Sequence, residues 1–113
     1  MSTAPRVELP VLPEPRLDLP SPDVDEAVAA AAILADPTRA AILRLLRDGR
    51  HCVCEMAAAT GQRENNLSNH LARLREAGLV RASRHETNAR FQYYERDEDA
   101  ILAMRAALED VVG

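Results

Sequence analysis

Residues 53–78 read VCEMAAATGQRENNLSNHLARLREAG, and two glycines divide them into a short and a longer helical segment. The alanine-rich run Val53–Thr60 is stopped by Gly61, and after a polar turn Glu64–Ala77 is stopped by Gly78. In the longer segment Leu67, Leu71 and Leu74 recur at i, i+4 and i+7, the spacing of one buried helix face. Asn65, Asn66, Ser68, Asn69, Arg73 and Arg75 then fall mostly toward solvent. A short helix, a tight turn and a longer helix with a polar outer face have helix-turn-helix spacing, and amides, hydroxyls and guanidiniums suit base edges and phosphates. These six residues and His70 are candidate DNA contacts, with a second role open for His70, capping or packing between helices.

Outward from this stretch, Val80–Arg84 and Arg90–Glu95 alternate apolar with polar or aromatic residues around His85-Glu86-Thr87-Asn88-Ala89, as the strands of a hairpin wing would. Arg84 and Arg90, with Arg81, suit phosphate contacts there. Upstream, Asp36-Pro37 reads as a helix start, Ile42, Leu45 and Leu46 as its apolar face and Gly49 as its stop. Ser21-Pro22 repeats that start signal ahead of Val24, Val28, Ala31 and Leu34 at helical spacing. A last helix over Asp97–Val112 carries Ile101, Met104, Leu108 and Val111 on one stripe, with Asp97, Glu98 and Asp99 as capping acids. Such stripes are more apolar area than a thin domain leaves in water. Val24, Val28, Ala31, Ile101, Met104 and Leu108 are therefore expected at a dimer interface. The resulting fold class is mainly α with a β-hairpin wing, a homodimeric winged helix-turn-helix.

The chain of 113 residues has room for one domain near the lower size limit for a self-sufficient core, so help from a second subunit is expected. Six of the seven prolines fall in the first 22 residues, which makes residues 1–20 an extended arm and 21–113 the DNA-binding and dimerisation domain. No apolar run approaches the roughly 20 residues of a membrane span, and prolines and acids interrupt any signal-like start. The expected compartment is the cytoplasm, with no membrane partner. The net charge of −4 is unevenly placed: residues 61–96 hold four acids and seven arginines, whereas residues 97–113 hold five acids and one arginine. The basic surplus thus coincides with the proposed reading helix and wing. No phosphate-cradling glycine loop, helical histidine-metal motif or nucleophile with an evident base is present, so an enzyme is not expected.

Cys52 and Cys54 are the only cysteines. Two thiols this close make a poor framework for a secreted domain and a good pair of soft metal ligands. The start of a helix also favours the thiolate that binds metal, and adjacent His51 is a possible third ligand. On a regular helix residues i and i+2 point about 200° apart, so one ion held by both sulfurs is expected to pull the first turn out of helical form. A thiol-redox repressor using the pair as a disulfide switch is the competing reading.

Ala35-Asp36-Pro37-Thr38-Arg39, Cys52-Val53-Cys54-Glu55-Met56, Ser68-Asn69-His70-Leu71, Leu74-Arg75-Glu76-Ala77-Gly78-Leu79-Val80 and Tyr93-Tyr94 together resemble the ArsR/SmtB family of metal-responsive repressors over about residues 24–112. The resemblance implies a homodimer whose helix near residues 64–77 enters the major groove of a palindromic operator, and metal binding that releases the DNA. Cys-Val-Cys is similar to the family's sensing box, which implies a thiophilic effector, As(III) or Sb(III), or else Cd(II), Pb(II), Zn(II) or Hg(II). Arsenic sensors of this type often carry a third cysteine where this chain has Ala57, and the cadmium and lead sensors recruit cysteines from an arm that here has none. The zinc site that other members place on the last helix is not matched, since Glu98 is accompanied by Ala100 and Val111.

Overall fold

Asp36-Pro37-Thr38 sets a helix start by local chemistry alone. Asp36 Oδ1 accepts the backbone N–H groups of Thr38 at 2.8 Å and Arg39 at 3.1 Å, while Pro37 occupies a first-turn position whose N–H would be unused. The Arg39 N–H, joined by that of Thr38 and by nearby His70, holds the Asp36 carboxyl below its ordinary range. This cap is at full strength above the ordinary carboxylate range and is lost as pH falls through the lowered value. Arg39 itself donates to the Ile33 and Ala32 carbonyls, both at 3.0 Å, and so closes the end of the preceding helix.

The computed structural model describes residues 22–84 and 92–113. Its elements are α1 (Pro22–Leu34), α2 (Pro37–Leu45) with a 3-10 turn at Leu46–Asp48, β1 (His51–Cys52), α3 (Val53–Thr60), α4 (Glu64–Glu76), β2 (Val80–Arg84), β3 (Gln92–Arg96) and α5 (Glu98–Val112). The proposed arm, Ser21, the hairpin tip and Arg90 lie outside the described residues. Gly61 closes α3 in the left-handed region at φ 74°, its N–H returning to the Ala57 carbonyl at 2.9 Å, a conformation that favours glycine.

Leu67, Leu71 and Leu74 are fully buried and seat α4 on Ile42, Leu46 and Met56. Leu71→Ala is expected to cost about 2–5 kcal/mol of stability through lost burial and a residual cavity, read from urea unfolding. A cost below that range would mean that α4 is not anchored through this face.

β2 and β3 form the expected antiparallel hairpin, in register from Val80 opposite Arg96 to Arg84 opposite Gln92. The sheet has a third strand that the sequence reading lacks. β1 pairs with the other side of β3, Cys52 opposite Tyr93 and His51 opposite Tyr94, giving the order β1-β3-β2.

Helix α1 lies along α5 within one protomer. It turns Ala27 and Ala30 inward and leaves Val24, Val28 and Ala31 exposed, because small residues let the two helices approach closely. Ile101 is a correction: at 5% exposure it belongs to the protomer's own core, so a partner has almost nothing there to cover. Met104 and Leu108 are half-buried. Asp97 Oδ1 accepts the Ala100 N–H at 3.1 Å, as expected of a capping acid.

Candidate sensing site and nucleic-acid interface

Cys52 is the N-cap of α3, with extended backbone at φ −84° and ψ 165°. Its Sγ accepts the Glu55 N–H at 3.3 Å, and Glu55 Oε1 accepts the Cys52 N–H at 2.9 Å. This is a capping box in which cysteine takes the place usual for serine or threonine. Cys54 lies one residue inside the helix. The two sulfurs are bonded to each other across a Cα–Cα separation of 5.4 Å. The premise behind the expected unwinding of α3 is thereby corrected. It took both residues as helical, whereas Cys52 stands just outside the first turn, at the N-cap.

Cys52 is a buried residue and Cys54 an exposed one, and Cys52 lies between helix cap and sheet. His51 Nδ1 sits 3.2 Å from Glu55 Oε1. The Cys52 N–H, followed by His51, holds the Glu55 carboxyl below its ordinary range. Glu55 thus ties His51, Cys52 and the start of α3 together, a role that the Cys-x-x-Glu spacing signals in the sequence and that the reading above missed. Among the described residues no group of three or more His, Cys, Asp or Glu side chains is arranged to hold a metal ion. The His51 ring faces the Glu55 carboxylate.

On α4, Asn65, Asn66, Ser68, Asn69, Arg73 and Arg75 are all exposed, opposite or flanking the leucine face. Asn66 Nδ2 donates to Gln62 Oε1 at 2.6 Å, which ties the first turn of α4 to the loop before it. His70 is half-buried, its Nδ1 3.9 Å from Asp36 Oδ1, which matches packing between helices. It links α4 to the cap of α2.

The wing arginines divide by their surroundings. Arg81 reaches Glu95 and Asp97, both at 3.4 Å, and Arg96 is paired with Glu98 at 2.8 Å while donating to the Leu43 carbonyl at 3.2 Å. Both help to hold the sheet to its neighbours. Arg84 is exposed at the end of β2 nearest the hairpin tip. Arg50, not singled out in the sequence, stacks over the Tyr93 ring at 4.9 Å from its centre, beside the β1 pairing.

Against known proteins, the profile described as bacterial regulatory protein, arsR family, matches residues 36–82. The chain is 49% identical over 49 residues to the arsenical resistance operon repressor of Escherichia coli (strain K12), covering 42% of each protein. It thus spans less than half the length of that relative. It is 33% identical over 91 residues to the nodulation protein NolR of Rhizobium meliloti, covering 80% of this chain and 72% of that one. A crystal structure described as a possible transcriptional regulator for arsenical resistance superposes with a TM-score of 0.65 at 32% identity, over 73% of this chain and 82% of the other. By their descriptions the first of these is an operon repressor and the crystallised protein a possible transcriptional regulator. With the profile match and these relatives, the chain belongs to the arsR family of bacterial regulatory proteins.

Proposed function

We propose that the chain is a metal- or metalloid-responsive repressor. It binds a palindromic operator as a homodimer through α4 and the wing, and leaves it when Cys52 and Cys54 hold a thiophilic ion. The observation that carries this reading is the triple role of Cys52, at once the cap of α3, the β1 residue opposite Tyr93 and one of two convergent sulfurs.

A thiophilic ion supplies strong bonds to soft sulfur, which fits As(III), Sb(III), Cd(II), Pb(II), Zn(II) or Hg(II) and not Mg(II) or Ca(II). Cys54 is the accessible donor and Cys52 the one whose displacement is felt. When Cys52 turns from its capping geometry, it bears on α3, which supports α4, and on the β1 pairing to β3, which supports the wing. Both DNA-facing elements are thereby reached from one residue. A third donor comes from His51 if it leaves Glu55, from a carboxylate of residues 1–20 of either subunit, from water or from a small thiol.

In the bound state Asn65 and Asn69 face base edges, Ser68 and Asn66 flank them, and Arg73, Arg75, Arg84 and Arg90 meet phosphates. His70 positions α4 from behind. The test begins with a duplex selected from a random library on the immobilised protein, labelled and followed by anisotropy under reductant. Arsenite comes first because two of the relatives are named for arsenical resistance. Release by arsenite or another thiophilic ion, and none by Mg(II) or Ca(II), is the expected outcome. A duplex that no thiophilic ion releases would overturn the reading.

Arg73→Ala tests the DNA half separately. With one arginine removed from each protomer, affinity should fall and the slope of log affinity against log salt should flatten by roughly 2, the value for two lost phosphate contacts. Unchanged affinity and slope would remove α4 from the interface.

A further inference from the structure

The disulfide between Cys52 and Cys54 coexists with an intact reading head. Beside that bond Cys52 Sγ accepts the Glu55 N–H and Glu55 accepts the Cys52 N–H. In the same structure β1 is paired with β3, α3 is helical from Val53, and the three leucines of α4 are fully buried. We propose that Cys52 and Cys54 form a dithiol–disulfide switch whose oxidised state keeps the DNA-binding form and shuts the site to thiophilic ions. Oxidation then overrides induction instead of causing it. This inference rests on the reading that the same pair receives the effector and that α4 binds DNA.

The chemistry closes with a low-molecular-weight disulfide, RSSR, as oxidant. Cys54, the more exposed residue of the pair, attacks RSSR as thiolate, forming Cys54–S–S–R and expelling one RS⁻. Cys52 as thiolate then attacks the Cys54 sulfur, forming the Cys52–Cys54 bond and expelling the second RS⁻. The two protein thiols lose two electrons and two protons, and the small disulfide becomes two thiols. Neither sulfur is then a thiolate, the form that binds metal, so the ion has no ligands. A small thiol reverses both steps at the exposed Cys54 side.

The experiment uses the full chain, reduced or treated with oxidised glutathione and freed of reagent. Mass should show the loss of two hydrogens with no glutathione attached, and thiol titration should lose both thiols. Cadmium–thiolate absorbance should appear in the reduced protein and be lost in the oxidised one. On the selected duplex the oxidised protein should stay bound, lose all release by arsenite, and regain it after dithiothreitol. With single variants, Cys52→Ser should accept glutathione faster than Cys54→Ser, since it keeps the more exposed cysteine.

Oxidised protein that leaves the duplex, that is still released by arsenite, or that holds only mixed glutathione adducts overturns the inference. A reduced protein without cadmium–thiolate absorbance or release by any thiophilic ion instead overturns the metal reading. The mass and the retention of oxidised protein on DNA still judge the switch in that case.

Discussion

The Cys52→Ser, Cys54→Ser double variant is expected to fold, dimerise and bind the selected duplex like the parent, and to remain bound when arsenite or any other thiophilic ion is added under reductant. The capping box explains why binding survives. Serine is among the preferred N-cap residues, so Cys52→Ser leaves the Ser-x-x-Glu pattern with Glu55 in place. Cys52→Ala, which removes the acceptor, should by contrast cost about 1 kcal/mol of stability and so separates capping from sensing. Loss of release follows from ligand chemistry, since a hydroxyl is a poor ligand for a soft ion. Moving a repressor from mostly bound to mostly free requires the effector to favour the weak-binding state by about 5.5 kcal/mol. Thiolate sites reach that scale, about 10–16 kcal/mol for structural zinc, and a site without its sulfurs does not. Anisotropy on the labelled duplex decides the matter: a double variant that still dissociates with arsenite places sensing elsewhere in the chain.

The path from Cys52 to DNA was only half legible in the sequence. Leu67, Leu71 and Leu74 announced α4 because a helix repeats its buried face every turn, and Gly61 and Gly78 announced its borders because helix ends favour glycine. β1 left no such trace: a strand of two residues has no period, and its partner Tyr93 lies far along the chain. Without β1, Cys52 looked helical, and the 200° argument followed from that premise. The cap was hidden for a related reason, since cysteine is not a usual N-cap residue and Cys-x-x-Glu is easily passed over as a capping box. His70 depended on tertiary packing, because only the approach of α4 to Asp36 distinguishes it from its exposed neighbours. On α1 the valines drew attention as the larger side chains, yet the protomer buries Ala27 and Ala30, and periodicity alone does not say which of two apolar faces turns inward.

That second apolar face carries the other large expected effect: Val28→Asp combined with Leu102→Asp should convert the protein to a folded monomer that has lost most of its operator affinity. Among the described residues the exposed large hydrophobics are Val24, Val28, Leu34, Leu102, Val111 and Val112, and every one lies on α1 or α5. An apolar surface concentrated on two adjacent helices marks an interaction site, and the palindromic operator proposed above would demand the two-fold partner that covers it. Val28 and Leu102 are 62% and 60% exposed, so charging them should leave the protomer's fold nearly untouched, within about 0.5 kcal/mol. At an interface the same carboxylates would be buried without partners, which costs several kcal/mol per ion in order of magnitude. Leu108→Glu is a less clean probe, because half-buried Leu108 already packs within the protomer. Joining two reading heads raises affinity by about 10²–10⁴-fold without a new contact, so a monomer should lose an amount of that order on the full operator while losing little on a half-site duplex. Sedimentation gives the oligomeric state, circular dichroism the fold and anisotropy the affinity on both duplexes. A double variant that remains a dimer with parental affinity would move the interface away from α1 and α5, and a monomer that binds the full operator as tightly as the parent would show that α4 does not need a second copy.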